Sequence, residues 1–321
     1  MESSYQQQLQ DLQLKLEVAQ KQCQEYKAKN EKLEHDIEAV KVQNVKLIVT
    51  LQNKDQEILY YQQILQSLEN GNVINIEQKS EGKTYKYETH LHTKEASACG
   101  ISHAAEYIKI YKKLGYDGIF VTDHFFGGNT RVSKLLDWHT RVEQFCSGYE
   151  AAVAEAQRQN AEDGGNFQVF FGFEQTFEGD DYLIYGLDKN WLFEHPEVES
   201  MDHKQLFQAV NNQNGLMIQA HPFRMRHYIK SISIHPHEVH GIEVYNGGNT
   251  TEQNDLAFAF ATSYDFPMTS GSDIHSILFA QDKLSVCGME FTTPLTSVKD
   301  YIERIKRKEG YILKEIVQEK D

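Results

Sequence analysis

The sequence predicts an α/β chain in two parts. Residues 1–70 read as a long α-helical coiled coil, and residues 84–318 as a closed (β/α) barrel, with a linker at 71–83. Three observations carry this. Apolar residues recur at 3-4 spacing, without a slip, through the first 70 residues. From Thr84 onward short strand-like runs alternate with helical ones. Several of those strand-like runs end in His, Asp or Glu.

The first segment has neither proline nor glycine, and the first glycine of the chain is Gly71. With Leu9 at position a, that series runs Leu9, Leu16, Cys23, Asn30, Ile37, Asn44, Leu51, Ile58, Leu65. Position d holds Tyr5, Leu12, Ala19, Tyr26, Leu33, Val40, Leu47, Lys54, Tyr61 and Leu68. Heptads sustained over this length predict a left-handed coiled coil, a rod of roughly 100 Å. Asn30 and Asn44 at a favour a two-stranded, in-register pair. The g-to-e′ pairs Lys29–Glu34 and Asp36–Lys41 are attractive in a parallel arrangement. The expectation is a parallel homodimer through residues 1–70. Gly71, just past Glu69-Asn70, stops the helix.

Strands are expected at 85–91, 118–122, 168–173, 182–186, 215–220, 241–245, 267–270 and 286–292. Helices are expected at 102–114, 132–160, 202–212, 252–264 and 297–309. Strand–helix alternation implies a parallel sheet with crossover helices. About seven units in about 235 residues suit a closed barrel better than an open sheet. No Gly-x-Gly-x-x-Gly follows the first strand.

Composition bounds the rest. The 321 residues carry a formal charge of -15, from 47 acids and 32 bases. That balance disfavours non-specific attraction to nucleic acid or anionic membrane. Four cysteines (Cys23, Cys99, Cys146, Cys287) without Cys-x-x-Cys fit a reducing compartment. Met1–Gln6 lacks the apolar core of a signal peptide. No run of about 18 apolar residues occurs, so a soluble cytoplasmic protein is expected.

The strand ends hold the chemistry. The first run ends in His90-Leu-His92, and alternation sends both imidazoles to one face. Gly118-Ile-Phe-Val-Thr-Asp-His124 ends in Asp123 and His124. Phe170-Phe-Gly-Phe-Glu174 ends in Glu174, and Leu216-Met-Ile-Gln-Ala-His221 in His221. Pro267-Met-Thr-Ser-Gly-Ser-Asp-Ile-His275 ends in Asp273 and His275. In a parallel barrel all strand C-termini open onto one mouth. Imidazoles and carboxylates gathered there read as a metal site for Zn, Mn or Fe. The set is too large for one tetrahedral ion and suits two or three ions sharing a carboxylate, with Glu174 the candidate bridge.

His90-Leu-His92-Thr93, Thr122-Asp-His124, Gly172-Phe-Glu174, Ala220-His-Pro222 and Gly271-Ser-Asp-Ile-His275 resemble, in order, the motif blocks of the PHP (polymerase and histidinol phosphatase) superfamily. The resemblance covers roughly 84–315. It implies a distorted seven-unit, TIM-like barrel that hydrolyses phosphoesters at a di- or trinuclear centre of Mn, Fe or Zn. Carried across, His90, His92, Glu174 and Asp273 would bind one ion, and His124 and Glu174 a second. His221 and His275 would help hold the second or a third. Two departures concern the third ion. Where many members place His or Asp after the first block, this chain has Ser97 and Ala98, which leaves Glu95 as the substitute ligand and Cys99 as the alternative. Where trinuclear members carry a further His after the bridging Glu, Asp181 would substitute.

The implied mechanism is attack by a bridging hydroxide on a phosphoryl group whose charge the ions neutralise. Asp123 would orient a ligand histidine. Arg224 would be a bidentate phosphate fork or a surface ion pair, with Arg226 and His227 weaker candidates. His275 or His221 would protonate the leaving oxygen. The expected substrate is a small phosphomonoester or a nucleotide. A nuclease or diesterase of the same type, and a coiled-coil scaffold with a non-catalytic metal-binding barrel, are the alternatives. Gly127–Thr130 and Gly247–Thr250 repeat Gly-Gly-Asn-Thr and read as turns or phosphate cradles. His235, His237 and His240 precede a strand and read as loop residues.

Overall fold

The computed structural model describes residues 83–226, 229, 231–281 and 286–314, together with Lys21, Lys27, Lys29 and Lys32. The chain divides into units 1–74 and 75–321. Apart from those four lysines and Lys83, the expected coiled coil, its dimer and the linker lie outside the described residues.

The second unit is mixed α/β, with a nearly closed, barrel-shaped sheet of the TIM-like kind. Strands are β1 (Tyr85–Glu88), β2 (Gly118–Val121), β3 (Gln168–Phe177), β4 (Asp180–Tyr185), β5 (Leu216–Gln219), β6 (Gly241–Asn246), β7 (Met268–Gly271), β8 (Gly288–Phe291) and β9 (Tyr311–Lys314). Helices are α1 (Ala104–Lys113), α2 (Trp138–Asp163), α3 (Lys189–Glu194), α4 (His203–Asn212), α5 (Thr251–Ser263), α6 (Ile277–Gln281) and α7 (Val298–Arg307), with a 3-10 turn at Pro196–Ser200. Among the described residues no helix is long and apolar enough to cross a membrane.

The sheet order is β7-β6-β5-β4-β3-β2-β1-β8-β9. Closure is confined to the mouth. There the chain beyond β1 meets the chain beyond β7 through the parallel Leu91–Ile274 bridge, with His92 N donating to Ile274 O at 2.9 Å. Lower down β1 pairs instead with antiparallel β8. Side chains alternate across the wall. Phe120 packs in one cluster with Tyr87, Phe170, Tyr185 and Ile218, while Ile119 and Val121 join α1 in another. Helix α7 packs Tyr301 against Phe120 and Tyr185.

Two strands depart from the expected parallel sheet: the one expected at 286–292 is β8, antiparallel to both β1 and β9, and the other is β4. The strand expected at 182–186 is not a parallel βα unit. β4 runs antiparallel to both β3 and β5. Phe177 and Asp180 face each other across Glu178-Gly179, whose φ values are 53° and 102°. Positive φ at both residues of a two-residue loop makes a hairpin and leaves no room for a crossover helix. As a result β4 starts at the mouth and carries Asp181 into it. The helix expected from 132 begins at Trp138, because Asp137 caps it by accepting from Thr140 N at 3.0 Å.

His240 shows which end of the barrel its loop reaches. It precedes β6, and its Nδ1 accepts from Met217 N, next to the start of β5, at 3.0 Å. Nε2–H then donates to Asn211 Oδ1 at 2.8 Å. Burial, and then the charge of Lys306, lower its pKa to about 4. The folded value lies below the unfolded one of about 6.5. The unfolded chain therefore binds more protons in between, and stability is lost as pH falls from about 6.5 towards 4. In chelator, His240→Gln should remove on the order of 1–2 kcal/mol of that loss between pH 7 and 5. Urea unfolding of both proteins at the two pH values measures it, and equal losses would contradict the assignment.

Candidate metal centre

The mouth is built by strand ends whose backbone is tied together from below. Glu88, the last residue of β1, is fully buried. Its Oε1 accepts from His90 N at 2.9 Å and Ser272 N at 2.8 Å, and Tyr111 Oη donates to Oε2 at 2.7 Å. One carboxylate thus fixes the backbone beside both His90 and Asp273. His221 and Asp273 have φ of 32° and 54°. Such left-handed backbone is uncommon outside glycine, costs on the order of 1–3 kcal/mol, and concentrates at functional sites.

The side chains converge closely. His90 Nε2 lies 3.1 Å from His92 Nε2, 3.2 Å from Glu174 Oε1 and 3.5 Å from Asp273 Oδ1. His92 Nε2 lies 3.4 Å from Glu174 Oε2 and 3.2 Å from Asp273 Oδ1. His221 Nε2 is 3.3 Å from Glu174 Oε1 and 3.7 Å from Asp181 Oδ2. His124 Nδ1 is 2.8 Å from Glu174 Oε2. Glu174 thus touches four imidazoles, two on each oxygen. The ring of His92 stacks between those of His124 and His275, at 4.4 and 4.5 Å.

The far side of each key imidazole is held. His90 Nδ1 pairs with Glu243 Oε1 at 2.9 Å. Ser97 Oγ donates to Asp123 Oδ1 at 2.6 Å and accepts from His124 N at 3.0 Å, with His92 Nδ1 at 3.2 Å. His275 Nδ1 donates to the carbonyl of Asp273 at 2.8 Å. With Nδ1–H engaged outward, Nε2 of His90, His92 and His275 is left as the inner, ligand-type nitrogen.

The electrostatics are those of a cation site. Burial depresses the pKa of His90, but Glu243, Asp273 and Glu174 outweigh it and lift it well above the ordinary imidazole value. Burial, then His124 and His275, pull His92 down to about 3. Burial opposes ionisation of Glu174, yet His124 and His90 hold it well below the carboxylate range. Asp273 is held low against burial by Arg224 and His90. One imidazole is driven towards positive charge and its neighbour away from it. A divalent ion satisfies both, because imidazole binds metal in its neutral form. His124 Nδ1 and Glu174 Oε2 are buried, adjacent and without a hydrogen-bond partner. Donor spacings of 3.1–3.5 Å are those of two ligands on one ion with bonds of about 2.0–2.2 Å. The residues present fit metal. Groups that could each hold an ion are His90, His92 and Glu174; His90, His221 and Asp273; His92, His124 and His275; and His124, Glu174 and Asp181.

Several expectations are sharpened by these positions. The structure does not bring Glu95 to this cluster. Its carboxylate accepts from Ala104 N at 3.1 Å and pairs with His103 at 3.0 Å, so it serves the start of α1. Cys99, the alternative, is there instead. Burial raises its thiol, but hydrogen bonds with His124 and His275 prevail and bring it to about 7. Asp123 acts on His92 through Ser97 and not directly, and burial pushes its pKa up to about 6. Arg224 does not offer a free fork: Nε donates to Asn249 at 2.8 Å, and Nη2 to Asn246 at 2.6 Å and Asp273 at 2.7 Å. Asp181 lines the mouth, its pKa raised to about 6 by burial and then by Glu174. Arg226 Nη2 donates to Gly248 O at 2.8 Å, and His227 lies outside the described residues. Glu88 and Glu243 were not anticipated. The signal for Glu243 was a carboxylate inside an otherwise apolar strand, where an unpaired charge is almost never buried; Glu88 closes a strand that also holds Lys86 and gave no such signal.

A cavity of about 530 Å³ opens over the cluster, with Gly127, Gly128 and Asn129 on its rim. A Cβ on Gly128 would lie 2.6 Å from Thr176 Oγ1 and 3.2 Å from His124 Nδ1, so glycine keeps that nitrogen open. The second Gly-Gly pair, Gly247-Gly248, borders an adjoining cavity with Arg224 and Arg226.

No family model and no curated protein matches the chain. Solved structures do. A two-domain protein from Bacteroides vulgatus ATCC 8482, described as containing a predicted PHP-like metal-dependent phosphoesterase, aligns at TM-score 0.53 and 17% identity over 73% of this chain. The alignment spans 65% of that protein. A protein from Bifidobacterium adolescentis ATCC 15703, assigned as a metal-dependent phosphoesterase, aligns at TM-score 0.39 and 14% identity, over 60% of this chain and 88% of its own. The first likeness establishes a shared fold.

If Glu243 fixes the His90 ring, Glu243→Gln should weaken Mn or Zn binding about 10–100-fold. Competition titration against a chelating dye reads this, and unchanged affinity in a folded variant would contradict it.

Proposed function

We propose that the chain is a metal-dependent phosphoesterase of the PHP type, acting on a small phosphomonoester or a nucleotide. The observation that carries this reading is Glu174, buried and shared by four imidazoles at 2.8–3.4 Å, in the position of a carboxylate bridging two ions. His90, His92, Glu174 and Asp273 would hold one ion and His124 and Glu174 a second. His221, His275, Asp181 and Cys99 would complete the second or hold a third. Ions held there would supply Lewis-acid chemistry, activating water near neutral pH and neutralising phosphoryl charge.

The remaining work falls to side chains already described. Thr93 fixes Asp123, its N and Oγ1 donating to that carboxylate at 2.6 and 2.7 Å, and Asp123 holds the His92 ring from behind through Ser97. Arg224 braces Asp273 and keeps one edge towards the cavity, so it adds positive charge at the mouth without acting as a full fork. Of Asp181 and His275, the one that does not ligate an ion would hold the proton for the leaving oxygen. The rim 127–129 and the hairpin at Glu178-Gly179 border the entrance, and the overall acidity favours a small substrate over nucleic acid.

Protein reconstituted with Mn, Fe or Zn should release phosphate from aryl phosphomonoesters, lose the activity in chelator and regain it on metal addition. Asp273→Asn should lower kcat/KM by about 100-fold or more. Assays on aryl monoesters, aryl diesters and single-stranded oligonucleotides separate the classes. Turnover of the diester or oligonucleotide alone would move the assignment to a diesterase. No turnover of any, with metal bound, would contradict catalysis.

A further inference from the structure

A second group of metal-type side chains lies apart from the mouth cluster. His203 is the first residue of α4, and His235 and Glu238 stand three apart in the connection from β5 to β6. His203 Nδ1 is 2.8 Å from Glu238 Oε2, and His235 Nδ1 is 4.0 Å from the same oxygen. One ligand atom from each of the three lies within 4.8 Å of the others. The two imidazole rings are 4.5 Å apart.

A hydrogen-bonded His203–Glu238 pair does not account for the third member of the group, His235. Tyr182 is fully buried, and its ring lies 4.4 Å from His203 and 6.4 Å from His235. Its hydroxyl and His203 Nε2 are both buried atoms without a hydrogen-bond partner. The charges of Asp180 and Glu238 act on that hydroxyl. Two imidazoles and a carboxylate, with no cysteine, form a three-ligand set with an open fourth position, which is characteristic of zinc.

We propose that His203, His235 and Glu238 bind a divalent transition-metal ion, zinc by ligand type, in a site separate from the barrel mouth. Closing the His235–Glu238 gap from 4.0 Å to the roughly 3.0–3.4 Å of two ligands on one zinc needs only a small shift of an intermediate-exposure loop. The ion pins the connection that begins with His221 and Arg224 to the start of α4. It therefore stiffens the chain that carries two residues of the mouth. The site stands on its own residues and holds whether or not the mouth is catalytic.

The test is zinc stoichiometry of the full chain after equilibrium dialysis, with folding checked by circular dichroism. The His203→Gln/His235→Gln protein should bind one zinc fewer than wild type, and the milder Glu238→Gln should bind that zinc at least tenfold more weakly. The His90→Ala/His92→Ala protein should retain the ion, and its crystals should show a zinc-edge anomalous peak between His203, His235 and Glu238. Unchanged stoichiometry in the folded double variant, or no zinc in the folded mouth variant, would overturn the proposal and leave a His203–Glu238 hydrogen bond.

Discussion

The structure of the mouth depends on one constraint: a carboxylate, Glu174, buried among four imidazoles. A lone buried carboxylate would be pushed towards its neutral form. Here positive charge must be supplied around it, and the mouth is organised to do so. The strand ends at the mouth bring their charged or ligating groups within 2.8–3.7 Å of one another. The left-handed backbone of His221 and Asp273 is tolerated because Glu243 holds His221 N at 3.1 Å and Glu88 holds Ser272 N. The carboxylates of β1 and β6 thus act on backbone and ring alike, one layer below the ligand-type atoms.

This layering explains what was legible in the sequence. His90, His92, His124, Glu174, His221, Asp273 and His275 could be read as one set because a parallel barrel sends strand C-termini to one face. That inference needs only strand boundaries good to a residue or two. The identity of the flanking ligand was not legible in the same way. Glu95 and Cys99 lie on a turn, where no period says which side chain faces inward, and Glu95 was drawn off by the free N–H groups that open α1. Glu243 was hidden because its strand reads simply as buried and apolar.

The barrel itself was legible except at β4 and at β8, both of which run antiparallel to their neighbours. Glu178-Gly179 has the glycine of a two-residue hairpin but not the Asn or Asp that ordinarily precedes it, so the strands on either side read as part of the alternation. The reversal matters for chemistry, since it is what brings Asp181 to the mouth opposite His221. The short elements α3 and α6 and the edge strand β9 are too brief for any period to mark them. Arg224 shows a different limit. Its position near the mouth was readable, but its partners Asn246, Asn249 and Asp273 come from two other strand ends, which spacing cannot reveal.

The account rests on Glu174 serving metal and not merely a hydrogen-bonded histidine cluster. Elemental analysis of the purified full chain and of Glu174→Ala tests this most directly. The account predicts at least two equivalents of Mn, Fe or Zn at the mouth of the wild-type protein, and loss of most of them in the folded variant. A folded Glu174→Ala protein that keeps the wild-type metal content would contradict it.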